Sequence, residues 1–417
     1  MANTFLYSKI YAVMNSAALR RFATIENGIL LLLVALVSLA YADSLGGVFL
    51  FDDFGFFVNN PRIRQLWPPS EAIAPHARAL TEYTFAINYA LHGLRPAGYH
   101  VVNILIHIGV TILLFGVIRR TLVRSAMAEH WRSAAPWLAG CSALLWGVHP
   151  LQTESVTYLV QRCESLMGLL TLLALYALIR SGDSSRPSRW QLVVMVASLL
   201  GMAVKESMAV VPLLLLMYDR TFISGTCMAA WRARRGMYAG LIAALFLLAW
   251  LIWAPRNPGS AVQVLNPLDY FRVQLVVIVH YLKLVILPYP LCFDYGRFTV
   301  TWAEAAGPGM IVLGLGLVTL ALWIHRHPLG YPLACFFVTL APTSSVIPFV
   351  DVAFERRMYL PLAGLLTVLV LGGYALLMRA PGHTRASGIR LGSMVLLLAL
   401  LLAVSTFLRN REYSSEV

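Results

Sequence analysis

The chain has 417 residues, of which 59% are apolar and only 12% charged, with a formal charge of +13. So little charge, spread around many runs of helix-spanning length, excludes a soluble domain and indicates an all-α polytopic membrane protein. The basic residues cluster in short loops, which is the positive-inside pattern, so the charge excess is not a nucleic-acid signature.

Arginine carries nearly all of that charge, because Lys9, Lys205 and Lys283 are the only lysines. The cysteines, Cys141, Cys163, Cys227, Cys292 and Cys335, have neither CxxC nor metal-ligand spacing and read as ordinary small residues. A basic stretch up to Arg21 leads into an apolar run without a cleavage site, which predicts a retained anchor with an inner N-terminus.

The first span covers 29–42, and Arg20 and Arg21 before it hold its start inside. The first outer loop, 43–98, then carries VFLFDDFGFFVNNPRIR, with Asp52 and Asp53 among aromatics. Later in that loop an interfacial helix is expected over 79–92, with Thr81, Thr84, Asn88 and His92 as one polar stripe. A second span, 99–118, ends at Arg119 and Arg120. A third, 137–148, delivers HPLQTESVTYLVQRCES to the outer face, and a fourth runs to Ile179 ahead of Arg180, Arg186 and Arg189.

The apolar runs on either side of Lys205 and Glu206 make an excursion outward and back to Arg220. Further apolar segments lie near 237–254, 270–288, 307–325, 331–347, 358–378 and 391–408, for eleven or twelve crossings in all. The basic loops at Arg220 to Arg235 and at Arg379, Arg385 and Arg390 share one side only if a segment between 237 and 288 is re-entrant or interfacial. That leaves eleven spans and an external C-terminus. The chain reads as one integral membrane domain, 1–417, with no soluble repeat domain.

Polar groups stand out in this background. Asp52 and Asp53 at a membrane surface can have carboxylate pKa values moved to a useful range, so that one accepts a proton from a hydroxyl while the other orients the site or a cation. His100, Asn103 and His107 share a helical face, and polar groups at membrane depth face a bundle interior or a cavity. Either a network between helices or a substrate contact accounts for them.

In the outer motif, which also contains Gln152, the residues Glu154, Tyr158 and Arg162 recur every four positions. A continuous helix would align acid, phenol and guanidinium, and the Arg could grip a phosphate bidentately. Lys205 and Glu206 need partners or a wet cavity, because an unpaired ion at membrane depth costs roughly 2.5–3.5 kcal/mol. Asp294, Arg356 and Arg357 complete the set of candidates at span ends.

The stretches FDDFGFFVNNP, RALTEYTFAINYALHGLRPAGYHVVNILIH, HPLQTESVTYLVQRCESL, KESMAVVPLLLLMYD, YLKLVILPYPLCFDY and IPFVDVAFERRMYLPLAG together resemble the transmembrane and tetratricopeptide-repeat O-mannosyltransferases and their bacterial relatives. The resemblance implies a C-type glycosyltransferase fold. It also implies inverting transfer of a sugar from a polyprenyl-phosphate carrier to an acceptor hydroxyl outside the membrane, with mannose as the family's sugar. Asp52 or Asp53 would be the base, and Lys205, Arg162, Arg356 and Arg357 would hold the lipid phosphate, with Glu206, Glu154, Gln152, His100, Asn103 and Asp294 as further substrate contacts.

The sequence ends at Val417 without the repeats that mark the family's namesakes. This leaves a protein, a glycan or a lipid as acceptor, and a tetratricopeptide-repeat partner subunit as a substitute platform. The polyprenyl-phosphate-linked sugar is the donor, the sequence names no cofactor, and a divalent metal at the aspartates stays open. The competing class is a non-enzymatic carrier or lipid-glycan flippase, which should show inverted repeats and midplane charges, whereas the charges here gather at span ends. The membrane would be the bacterial inner membrane with the site facing the periplasm, or the endoplasmic reticulum in a eukaryote.

Overall fold

The computed structural model describes residues 24–69, 78–124, 127–253, 265–379 and 385–415. These form a bundle of helices with no strand among the described residues, as the all-α polytopic reading expects. Arg20 and Arg21, expected to anchor the first span, lie outside the described residues. Among the described residues, six helices are long and apolar enough to cross a membrane, and three shorter apolar ones accompany them.

In chain order the main helices are α1 (Thr24–Ala40), α2 (Ala79–His92), α3 (Pro96–Leu122), α4 (Glu129–Gly147) and α5 (Arg162–Asp183). There follow α6 (Pro187–Met202), α7 (Val211–Tyr218), α8 (Arg235–Trp253) and α9 (Pro267–Ile286). The last four are α10 (Trp302–Ile324), α11 (Gly330–Leu340), α12 (Pro361–Arg379) and α13 (Arg385–Asn410). Local sequence sets several starts: Pro96 and Pro187 sit in first turns, and Thr301 with Glu304 forms a capping box at α10.

Small residues set the helix packing. A Cβ on Gly147 would lie 2.9 Å from Val37 and 3.0 Å from Thr111, so α1, α3 and α4 meet at a point that only glycine allows. Gly140 against Ile29 and Gly147 against Val37 make α1 and α4 parallel, and Gly109 against Leu169 with Gly116 against Tyr176 do the same for α3 and α5. α12 is antiparallel to α4: the Trp146 indole N–H donates to the Tyr359 carbonyl (2.9 Å) at one end, and Tyr374 donates to the His130 carbonyl (3.1 Å) at the other.

Consequently the connections sort into two ends. At one end lie the basic loops, cross-linked by Arg119 with Glu26, Arg124 with Asp183 (3.3 Å), Arg234 with Asp219 (2.8 Å) and Arg220 with the Trp323 carbonyl (2.8 Å). At the other end lie the acidic motif, the His149–Gln161 segment, the break around Lys205, the loops after α9 and α11, and the residues after α13.

α9 lies along this second end instead of spanning the bundle. Tyr270 donates to the Thr343 carbonyl (2.6 Å), Gln274 to Val352 (2.8 Å) and Tyr281 to Phe354 (2.8 Å), and the Val285 carbonyl meets His149 (3.2 Å). Every partner belongs to the same end. With α9 set aside, the segment from Arg220 to Arg235 and the helix ends at Arg379 and Arg385 fall on the same side, which reconciles the basic segments of the sequence.

Candidate active site

The acidic motif follows α1 through a turn that places its two carboxylates differently. Asp53 is buried, at 1% exposure, and its two oxygens accept the backbone N–H groups of Leu50 (3.0 Å) and Val160 (2.8 Å). Burial pushes its carboxyl up to about 7, against the lowering effect of those two bonds. Asp52 is exposed; its backbone N–H donates to the Tyr158 hydroxyl at 3.0 Å, and no hydrogen bond or ion pair holds its carboxylate among the described residues. The preceding residue, Phe51, takes a positive φ of 41°, a strained backbone for an aromatic residue.

Arg162 organises the floor of the loop. It is fully buried and donates to Asn103 (2.6 Å), Asn88 (2.7 Å), the Tyr99 carbonyl (3.2 Å) and Thr84 (3.3 Å to its carbonyl), with Phe85 stacked at 4.3 Å. The polar stripe of α2 thus faces inward, onto a cation. Asn103 also donates to the Val156 carbonyl (3.0 Å), so α2, α3 and the outer motif close around one guanidinium. All of these contacts serve the framework, and none is left for a phosphate.

The expected alignment of Glu154, Tyr158 and Arg162 on one helix face is corrected. The segment breaks into short helical pieces, Pro150–Gln152, Thr153–Val156 and Leu159–Gln161, with Tyr158 extended at ψ 110°. Three tertiary partners outweigh the four-residue spacing: Glu154 pairs with Arg356, Tyr158 meets Asp52, and Arg162 meets the asparagines. Burial and the Asp52 charge raise the Tyr158 phenol, which lies close enough to Asp52, Asp53 and Arg356 for all three charges to act on it.

A second group of charges adjoins this one. After α6 the chain turns extended at Lys205, whose ammonium is paired with Glu164 on α5 and not with its neighbour Glu206. The start of α2 docks on this break, with Leu80 N–H donating to the Ala203 carbonyl (3.0 Å) and Thr81 to Val204 (3.3 Å). The docking brings Arg78 into the neighbourhood of Glu206, Glu164 and Arg356. Arg356 pairs with Glu154 through side chain and backbone (N–H to Oε2, 2.8 Å), and burial raises the Glu154 carboxyl against that pairing.

Arg78, Lys205 and Arg356 therefore share one neighbourhood, the latter two held in place by carboxylates. The sequence reading missed Arg78; its one signal was a single arginine at the start of an amphipathic helix. A cleft of mainly apolar side chains starts near this group, at Val211 and Leu360, and runs past Thr171 and Leu215 to Thr121, Met127 and Pro328 at the basic-loop end.

The other candidates are dispersed. His100 and Gln152 are enclosed, and Gln152 donates to the Tyr359 carbonyl (3.4 Å). His107 bridges the Tyr359 hydroxyl (2.9 Å) and the Gly147 carbonyl (2.8 Å). Arg357 gathers the carbonyls of Thr343, Val352 and Asp351 (2.6 Å to the last), and Asp294 shapes a turn by accepting from Gly296 (2.8 Å). Among the described residues there is no group of three or more His, Cys, Asp or Glu side chains placed to hold a metal ion.

Comparison with known proteins bears out the motif resemblance. The chain is 25% identical to a protein O-mannosyl-transferase of Caenorhabditis elegans over 93% of its own length and 56% of that protein. It is 28% identical to protein O-mannosyl-transferase TMTC4 of Mus musculus, over 92% and 60% respectively. Over most of its length the chain is thus similar to protein O-mannosyl-transferases. A shorter match of 122 residues reaches 39% identity with protein O-mannosyl-transferase Tmtc3 of Drosophila melanogaster, over 27% of this chain and 13% of that one. The chain spans about three fifths of the length of the first two relatives. No protein-family model matches it.

Proposed function

We propose that the protein is a membrane glycosyltransferase that moves mannose from a polyprenyl-phosphate carrier to a hydroxyl of a protein acceptor, at the outer face of its membrane. The observation that carries this reading is an exposed carboxylate, Asp52, beside a cation group, Arg78, Lys205 and Arg356, with an apolar cleft that begins nearby at Val211 and Leu360.

In the proposed reaction the acceptor oxygen attacks the anomeric carbon as its proton passes to the Asp52 carboxylate. The bond from that carbon to the phosphate oxygen breaks with inversion, and the polyprenyl phosphate leaves with the electron pair. Asp53 acts as a positioning residue, since both of its oxygens hold backbone donors that set the turn. The cations stabilise the leaving phosphate, and Glu164 and Glu154 keep Lys205 and Arg356 preorganised for it. The Val211 and Leu360 end of the apolar cleft suits the lipid tail of such a donor.

The test is transfer of radiolabelled mannose from polyprenyl-phosphate mannose into membrane and soluble acceptor protein by the purified chain in lipid nanodiscs. Wild type should label protein, and Asp52→Asn should not. Folded wild type that transfers no mannose, or an Asp52→Asn variant that transfers normally, overturns the reading.

A further inference from the structure

The segment after α9, residues 287–301, crosses the site, and its residue Phe293 enters the aromatic cluster beside the acids. Its ring lies 4.9 Å from that of Phe51, nearly parallel at 23°, 4.9 Å from Tyr158 and 5.9 Å from Tyr413. Two of these neighbours place Asp52: Phe51 precedes it in strained backbone, and Tyr158 accepts its N–H. A strained conformation persists only where surrounding contacts over-determine it. Phe293 supplies such a contact for Phe51, which stays 68% exposed with that ring beside it.

Phe293 is itself held from both sides by one carboxylate oxygen. Glu355 Oε1 accepts the Cys292 N–H at 2.6 Å and the Tyr295 hydroxyl at 2.9 Å, and Tyr295 is backed by His280 at 3.1 Å. Internal bonds shape the turn between them: Gly296 N–H to Asp294 (2.8 Å), with Gly296 at φ 62°. Glu355 is 1% exposed, and its second oxygen has no hydrogen-bond partner among the described residues. Nor does any salt bridge among the described residues include it. A buried carboxyl with one idle oxygen is an expensive way to hold a loop, which points to a task at the site beside it.

We propose, resting on the glycosyl-transfer reading above, that Glu355 is a positioning residue for that reaction: it latches Cys292 and Tyr295 so that Phe293 bears on Phe51 and Tyr158 and fixes the direction of Asp52. The base is thereby aimed from a segment more than 200 residues away in sequence. Arg356, the next residue, joins the cation group, so one short stretch sets both halves of the site.

The experiment compares Glu355→Ala, Glu355→Gln and Phe293→Ala with wild type in nanodiscs, by mannose transfer and by hydrogen exchange of the peptide spanning 288–297. The amide oxygen of Gln can accept the same two bonds, so Glu355→Gln should keep slow exchange and most activity. Glu355→Ala should exchange faster and lose kcat by about tenfold or more, with the lipid-donor KM little changed. Phe293→Ala should lose a similar factor, and the double variant no more than the worse single one.

Unchanged exchange in Glu355→Ala overturns the latch. Faster exchange with normal kcat, or independent multiplying losses in the double variant, overturns the positioning role. Wild type that transfers nothing overturns the parent reading and the positioning role with it, while the exchange measurement still decides the latch.

Discussion

The Val160 backbone N–H donates to the Asp53 carboxylate at 2.8 Å, joining the first acidic loop to the outer motif across 107 residues of sequence. Removing that acceptor strands two buried donors, Val160 N–H and Leu50 N–H, at about 1–3 kcal/mol each. Asp53→Ala should therefore lower the thermal midpoint clearly. Asp52→Asn should leave the midpoint near wild type while transfer falls by roughly 10²–10⁴. Thermal unfolding and labelled-mannose transfer on the two variants check the division of labour.

The Asp53 carboxyl also predicts a pH dependence of stability. Raised from 3.8 to about 7, it binds its proton more tightly folded than unfolded. Its contribution is thus full below about pH 4 and is lost as pH rises through 7, with an upper bound of ~4 kcal/mol. Thermal midpoints measured from pH 4 to 8 should fall for wild type relative to Asp53→Asn. Parallel curves for the two proteins contradict the assignment.

Arg162 closes the floor of the site through four groups on α2 and α3. Arg162→Leu removes the charged donor from the buried Asn103 and Asn88 side-chain oxygens and the link between α2 and α3, and should destabilise by about 3 kcal/mol or more. Arg162→Lys should recover little, since one ammonium cannot span partners arranged around a planar fork. Denaturation midpoints of the two variants decide this.

Lys205 and Glu164 form a buried pair at the cation group. Lys205→Met should destabilise by about 3–5 kcal/mol by leaving Glu164 buried and unpaired, and adding Glu164→Gln should restore most of that loss. Donor affinity should not return in the double variant if Lys205 holds the lipid phosphate. A titration with polyprenyl phosphate separates the two roles: recovery of binding together with stability makes Lys205 purely structural.

Much of this was legible along the chain. α2 begins and ends where its polar stripe required, at Ala79 and His92. Lys205 needed a partner and has one. The misreading at Glu154, Tyr158 and Arg162 has a clear cause, because helical spacing implies a shared face only if the helix is continuous, and Tyr158 leaves it. Arg78 stands alone in sequence, and Glu355 beside Arg356 and Arg357 read only as a counter-charge to a basic anchor; Ala203 and Cys292 give them their places.

By itself, the sequence determined the solvent and the order of the helices, since hydropathy and loop charge act on segments a few turns long, and it supplied the motifs that carry the family likeness. Only the tertiary structure decided which aspartate is exposed, which arginine is framework and which segment lies along the end of the bundle. Adjacent carboxylates look alike in sequence, and Asp52 and Asp53 differ because Tyr158 and Val160, brought in from the far side of α3 and α4, meet the backbone of one and the side chain of the other.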